Sequence, residues 1–335
     1  MKSIPSALRL ALSREMRRIR GYDEGIAARY AENKMRCPTH LSVGQEGVPA
    51  ALSQILRKED LAVSTHRAHA HYIGKGGSGS KMIAEIYGKA TGCAAGKGGS
   101  MHLIDNSVGF KGSTAIVGNT IPVGVGIGLA LKLSGSDNIS VVFLGDAAVE
   151  EGAFYEAANF AVLRNLPVLF VCENNLYSVY SHISVRQPED RQIYKMVESM
   201  GMRSVHGDGN DVESTYLLLK DEVERMRMSK KPCFAEFATY RWREHCGPNY
   251  DNNIGYRTEQ EFLEWKKKDP IACHDAKLLA DGVCTVDKLR EMDHMVETEV
   301  REAFEFAERS PFPKESEAFD HIFAEEKPNG RSQAV

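Results

Sequence analysis

The sequence predicts an α/β fold built on a doubly wound parallel sheet, with helical N- and C-terminal segments. The stretch 141–177, VVFLGDAAVEEGAFYEAANFAVLRNLPVLFVCENNLY, holds two apolar runs that stop on Gly145-Asp146 and on Glu173-Asn174-Asn175. An amphipathic segment separates them, which is the pattern of a β-α-β unit in a sheet buried on both faces. Strand-like and helix-like segments then alternate from residue 60 to residue 240, as a parallel sheet requires.

The first segment places Leu8, Leu12, Met16 and Ile19 at helical spacing, so a helix is expected to end near Gly21 or Gly25. The turn-rich run His40 to Gly47 leads to a helix carrying Ala50, Leu52, Ile55 and Leu56. Leu61 to Ser64 reads as a strand that delivers Thr65-His66-Arg67-Ala68-His69-Ala70-His71. A glycine-rich bend at Gly74 to Gly79 precedes a helix over Lys81 to Lys89. Ile121 to Leu133 contains Gly124, Gly126 and Gly128 as Gly-x-Gly-x-Gly before a strand. A dinucleotide fingerprint needs Gly-x-Gly-x-x-Gly after one, so the glycines are assigned to a close-packed helix face. Cys233 to Ala238 is a further strand, Thr258 an N-cap, and Val286 to Glu308 one long helix. Residues 1–310 are expected to form one domain, and 311–335 an arm or tail.

Composition narrows the function classes. The 335 residues carry a net charge of −4, which gives no sign of a nucleic-acid partner. Seven cysteines, an odd number without a Cys-x-x-Cys pair, point to reduced thiols and a cytoplasmic protein. Arg9, Arg14, Arg17, Arg18 and Arg20 interrupt the N-terminal apolar residues, so no signal peptide is expected. Thr120 to Leu133, the most apolar stretch, is too short to span a bilayer.

Asp146 and Asn175 emerge at the carboxyl ends of two strands, the rim where open α/β sheets bind ligands. Their hard oxygen donors suit Mg²⁺, and Mg²⁺ completes its shell with phosphate and water, so the expected guest is a metal-bound diphosphate. Taken singly, Asp146 reads sooner as a helix cap and the Asn pair as a turn; together, at two strand ends of one β-α-β unit, they favour the metal. Gly207-Asp208-Gly209 competes for the same role, but the Asn pair downstream of it, Asn252-Asn253, has no strand leading into it. Gly96 to His102 offers the exposed N–H groups of a phosphate-cradling loop, or is simply a flexible surface loop. The histidines at 66, 69 and 71 lack zinc geometry, since on a strand His69 and His71 share a face and His66 points away. Arg67 beside them points instead to an anion pocket, and His245 follows another strand end.

Together these residues resemble the thiamine diphosphate motif: Gly145-Asp146, about thirty residues, then Asn174-Asn175. The chain is similar to the α subunit of the E1 component of 2-oxo acid dehydrogenase complexes and its acetoin dehydrogenase relatives. Ser42-x-Gly-Gln-Glu46, Arg67-Ala-His69, Gly96-Lys-Gly-Gly-Ser-Met-His102, Ile116-Val-Gly118 with Pro122, and Cys172-Glu-Asn-Asn-x-Tyr177 match in order over residues 40–260. The resemblance implies Mg²⁺ on Asp146, the Asn175 side chain and the Tyr177 carbonyl. It places the diphosphate against Arg67, His245 and the backbone of Ala147 and Ala148, and the aminopyrimidine against the backbone of Ala115 and Val117. His69 and His245 become candidates for proton or acyl transfer. It further implies an E1 β subunit that completes the site in an α2β2 assembly, a 2-oxo acid or acetoin as substrate, and a lipoyl acyltransferase as acceptor. An acyl carboligase that passes a two-carbon unit to a ketone, and a non-catalytic regulatory subunit, are the alternatives. The chain departs from the family pattern at three places: Ala147 stands for the usual Gly, His66 for Tyr, and Arg243-Glu-His-Cys246 for His-Gly-His-Ser.

Overall fold

A computed structural model describes residues 4–35 and 37–320. Eight strands are defined among them: β1 (Leu61–Ser64), β2 (Phe110–Ser113), β3 (Ser140–Gly145), β4 (Val168–Asn174), β5 (Tyr177–Ser178), β6 (Ser181–His182), β7 (Arg203–Asp208) and β8 (Cys233–Ala238). Six of them form one sheet in the order β2-β1-β3-β4-β8-β7, every pair parallel. β5 and β6 form a small antiparallel hairpin.

The helices are α1 (Ser6–Arg29), α2 (Gly47–Ser53), α3 (His69–Gly74), α4 (Gly79–Ile86), α5 (Thr120–Leu133), α6 (Gly152–Arg164), α7 (Ile193–Glu198), α8 (Val212–Ser229), α9 (Glu259–Lys266), α10 (Pro270–Ala280) and α11 (Val286–Arg309). Alternate strand residues feed cores on opposite faces of the sheet. Val141, Phe143, Leu169 and Val171 pack with α1, α2, α8 and α11. Val142, Leu144, Val168 and Phe170 pack with α5, α6 and α7. Burial on both faces is why β3 and β4 read as unbroken apolar runs rather than alternating ones. The strand order reverses direction between β1 and β3, so the crevice beyond their carboxyl ends is the expected ligand site of such a sheet.

The expected end of the first helix is corrected: α1 continues through Gly21 and Gly25 to Arg29. These glycines admit α11. A Cβ on Gly21 would lie 2.7 Å from Val296 Cγ1, and one on Gly25 2.9 Å from Phe304 Cε2. α2 also ends sooner than expected, at Ser53, leaving Ile55 and Leu56 outside it. β1, β8, the Thr258 cap and the long C-terminal helix fall where the sequence places them; the Thr258 side chain accepts the Glu261 N–H. The chain after α11 is docked as far as it is described. Lys89 Nζ donates to the Ser310 carbonyl at 3.0 Å and lies over the Phe312 ring, and Lys97 Nζ donates to the Glu317 carbonyl at 2.6 Å. The rest of the expected arm, 321–335, lies outside the described residues.

Candidate active site

Beyond the carboxyl ends of β1, β3 and β4 lies a cavity of about 190 Å³. Arg67, Ala115, Val117, Asp146, Ala147, Ala148, Asn175, Tyr177 and His245 all line it; of the residues to which the resemblance gives a binding or catalytic role, His69 alone does not.

One end is acidic. Asp146 follows β3 directly and is 1% exposed. Burial pushes its carboxyl above the usual range, while the Arg186 guanidinium opposes the shift. Arg186 bridges Asp146 and Glu150, so one cation already neutralises this carboxylate. Ala147 lies in the 3-10 turn Asp146–Glu150 and is not among the positive-φ residues, so its Cβ is tolerated where the family pattern has glycine. Asn175 Nδ2 donates to Gln45 Oε1 at 3.0 Å, and Asn175 Oδ1 accepts the Tyr177 N–H at 3.1 Å. That leaves the amide oxygen a second lone pair. Leu176, between them, is held at φ 73°, a left-handed conformation that costs about 1–2 kcal/mol for a non-glycine residue. Strain of this kind collects at functional sites. A buried carboxylate, an amide oxygen and an adjacent carbonyl form a hard-oxygen set that fits Mg²⁺.

Behind this set runs a buried relay. Gln45 Nε2 donates to Glu173 Oε2 at 3.3 Å, His71 Nε2 meets the same oxygen at 3.1 Å, and His71 Nδ1 meets Ser64 Oγ at 2.7 Å. His71 stacks on Phe143, with ring centroids 3.9 Å apart. Glu173 Oε1 is buried without a hydrogen-bond partner, and Glu173 lines the cavity.

The other end is basic. Arg67 donates to the carbonyls of Leu41 at 2.6 Å and of His245 at 3.1 Å. Burial, then the nearby Arg241, pushes its pKa down to about 9. His40, His66 and His245 face one another with ring centroids 4.6–5.3 Å apart. Burial, reinforced by Arg67, pushes His66 and His245 down to about 3 and His40 lower still, so all three are neutral at pH 7.

Two expectations are corrected here. His69 and His71 lie in helix α3 rather than on an extending strand, so they diverge, while His66 joins His40 and His245. His69 Nδ1 binds Asp23 at 2.7 Å and Nε2 binds Ser100 at 2.8 Å, with all three residues at most 1% exposed. This is the geometry of a Ser-His-Asp triad, but without access for a substrate it is a structural relay, and no nitrogen of His69 is free for a cofactor. The glycine-rich loop does not present its N–H groups to a phosphate either. Glu85 takes them: Oε2 accepts from Ala94 at 2.7 Å and Gly96 at 2.9 Å, Oε1 from Gly98 at 2.7 Å and Gly99 at 3.1 Å.

The family model for the dehydrogenase E1 component matches residues 14–316. The chain belongs to the dehydrogenase E1 component family. Among its relatives, the pyruvate dehydrogenase E1 component subunit alpha of Rickettsia bellii is 37% identical over 310 residues, covering 92% of this chain and 94% of that one. The chloroplastic subunit alpha-3 of Arabidopsis thaliana is 35% identical over 324 residues, covering 93% and 74%. The Porphyra purpurea subunit alpha is 33% identical over 325 residues, covering 94% and 93%. The chain is thus an E1 α-type subunit of a thiamine diphosphate-dependent dehydrogenase, and the doubly wound sheet is this family's fold. Gln45, Glu173 and His40, which line the cavity, and Arg186, which pairs with Asp146, were not singled out in the sequence. Gln45 and Glu173 sat inside quoted motifs; Arg186 and His40 carried no signal of their own.

Proposed function

We propose that this E1 α chain holds thiamine diphosphate with Mg²⁺ in the cavity described above and works on a 2-oxo acid of the pyruvate type with an E1 β subunit. The observation that carries the reading is the meeting of Asp146 and Asn175, from neighbouring strand ends, in one cavity with Arg67 and His245. Asp146, the Asn175 amide oxygen and the Tyr177 carbonyl would hold the metal, and Arg186 would have to yield its place on Asp146. Arg67, His245 and the N–H groups of Ala147 and Ala148 would take the diphosphate, and the backbone of Ala115 and Val117 the aminopyrimidine. When bound, thiamine diphosphate supplies an electron sink for cleavage of the bond next to a ketone carbonyl. The chain's own contribution is orientation and charge: a carboxylate for the metal, a partly desolvated guanidinium for the phosphates, and neutral imidazoles able to donate or accept a proton.

The partner reading has its own support. α5 and α6 pack on each other and expose Val123, Leu133, Phe160 and Leu163, of which Leu133 is 77% and Leu163 72% exposed. Exposed apolar residues on two adjoining helices fit a subunit contact, here with the β subunit of an α2β2 assembly. A lipoyl acyltransferase is the proposed acyl acceptor. The cytoplasm is the proposed compartment: all seven cysteines are free, and no helix among the described residues is long and apolar enough to cross a membrane. We take residues 1–310 to act as one unit. Calorimetry with Mg²⁺ and thiamine diphosphate, on the chain alone and with its β subunit, tests the reading. Tight binding in the complex and weak binding alone is expected; no binding in the complex would overturn it.

A further inference from the structure

His40 precedes α2, His66 follows β1 and His245 follows β8, yet their ligand nitrogens all lie within 4.8 Å of one another. Among the described residues this is the only group of three or more His, Cys, Asp or Glu side chains that closes to such a distance. Arg67 and the backbone bonds from Gly247 to Thr39 and from Trp242 to Val43 hold the segments together. The Arg67 guanidinium ties the Leu41 carbonyl, next to His40, to the carbonyl of His245, so two of the three imidazoles are clamped from behind by one side chain. His40 is 6% exposed, and its Nδ1 is buried without any hydrogen-bond partner. An orphaned imidazole nitrogen, held among two others, costs stability unless something ligates it.

We propose that His40, His66 and His245 form a three-imidazole site for a borderline transition-metal ion of the Zn²⁺ class, its fourth position open to the cavity. Such ions prefer imidazole nitrogen, which separates this site from the hard-oxygen set at Asp146. A tetrahedral ion with bonds of about 2.0–2.1 Å needs nitrogens about 3.3–3.4 Å apart. The half-buried His66 and His245 rings therefore close by up to about 1.5 Å through side-chain rotation. Three neutral imidazoles bring no negative charge, and Arg67 and Arg241 stand nearby, so the fourth ligand is an anion such as hydroxide or chloride. His245 cannot both ligate this ion and contact a diphosphate. Occupation therefore excludes the cofactor, a clause that rests on the proposed function above.

Cobalt(II) replaces zinc and reports four-coordination by its visible absorption. The chain with its β subunit, stripped of cofactor and metal, is titrated with Co²⁺. One equivalent per chain is expected, with affinity weakened at least about 100-fold in both His66→Phe and His245→Phe, since even outer-shell changes at metal sites cost 10–100-fold. Asp146→Asn leaves the band in place. Adding thiamine diphosphate with Mg²⁺ removes it from the wild type. Absence of a visible band in excess cobalt, or a band unchanged in both histidine variants, would overturn the site. A band that persists while calorimetry shows the cofactor bound would overturn the exclusion alone. If calorimetry shows no cofactor binding at all, the cobalt titration still decides the metal site.

Discussion

Gly124 and Gly126 sit two residues apart on α5, and the structure assigns them opposite responses to one added methyl group. A Cβ on Gly124 would lie 2.2 Å from Val142 Cγ2 and 2.9 Å from Val63 Cγ2, against the strands that deliver Asp146 and Arg67, whereas one on Gly126 meets nothing within 4 Å. Replacing glycine by alanine inside a helix gains about 0.8–1.0 kcal/mol of propensity. Gly126→Ala should keep that gain. Gly124→Ala should set it against overpacking of about 1–3 kcal/mol, which two β-branched neighbours in a parallel sheet cannot easily relieve. The expected result is a Gly124→Ala chain on the order of 1–3 kcal/mol less stable than the Gly126→Ala chain. Urea unfolding of the two purified variants, with unchanged denaturant slopes, reads the difference directly. Equal stability, or a more stable Gly124→Ala chain, would refute the close packing of α5 on β1 and β3.

Glu85→Gln removes a buried carboxylate that satisfies four backbone N–H groups. It should cost about 2–4 kcal/mol and expose residues 94–99 to hydrogen exchange; protection equal to the wild type would count against the Glu85 cap. The neutral histidines set a pH dependence. Their folded pKa values lie below the unfolded value of about 6.5, so their contribution is complete above pH 6.5 and is lost as pH falls towards 3. Between pH 7 and 5 each should cost on the order of 1–2 kcal/mol, and His66→Phe should flatten the curve of denaturant midpoint against pH. Arg186→Ala removes the cation that competes for Asp146, so Mg²⁺ affinity in the presence of thiamine diphosphate should rise several-fold; a fall would show that Arg186 supports the metal rather than opposing it.

The acidic half of the site was legible because β3 and β4 are buried on both faces. Their apolar runs mark the strands, and the polar residues that end them must emerge at the carboxyl rim. In the basic half Arg67 and His245 were legible, but distance in sequence hid their histidine neighbours. His40, His66 and His245 come from three separated segments, which Arg67 and the backbone bonds from Gly247 to Thr39 and from Trp242 to Val43 help bring together. A local misjudgement compounded this: extending strand periodicity past Ser64 paired His69 with His71, whereas the chain turns into α3 at His69 and separates them. The glycines misled in a similar way. Gly21 and Gly25 looked like helix stops, but α11 needs their missing side chains, and the glycine-rich loop, open between a phosphate cradle and a flexible surface loop, has its N–H groups taken by Glu85 from the preceding helix. The glycine failures concern a partner on another element, which local pattern cannot supply.

The central claim is that Asp146 and Asn175 hold the metal end of the cofactor, and Asp208, the other aspartate at a strand end, offers the sharpest control. Calorimetry of thiamine diphosphate with Mg²⁺, on the chain assembled with its β subunit, should show binding weakened at least about 100-fold in Asp146→Asn and unchanged in Asp208→Asn. Unfolding of Asp146→Asn without cofactor should show stability equal to or above the wild type, because burial disfavours that carboxylate even with Arg186 beside it. Wild-type affinity in Asp146→Asn, or a loss confined to Asp208→Asn, would contradict the account.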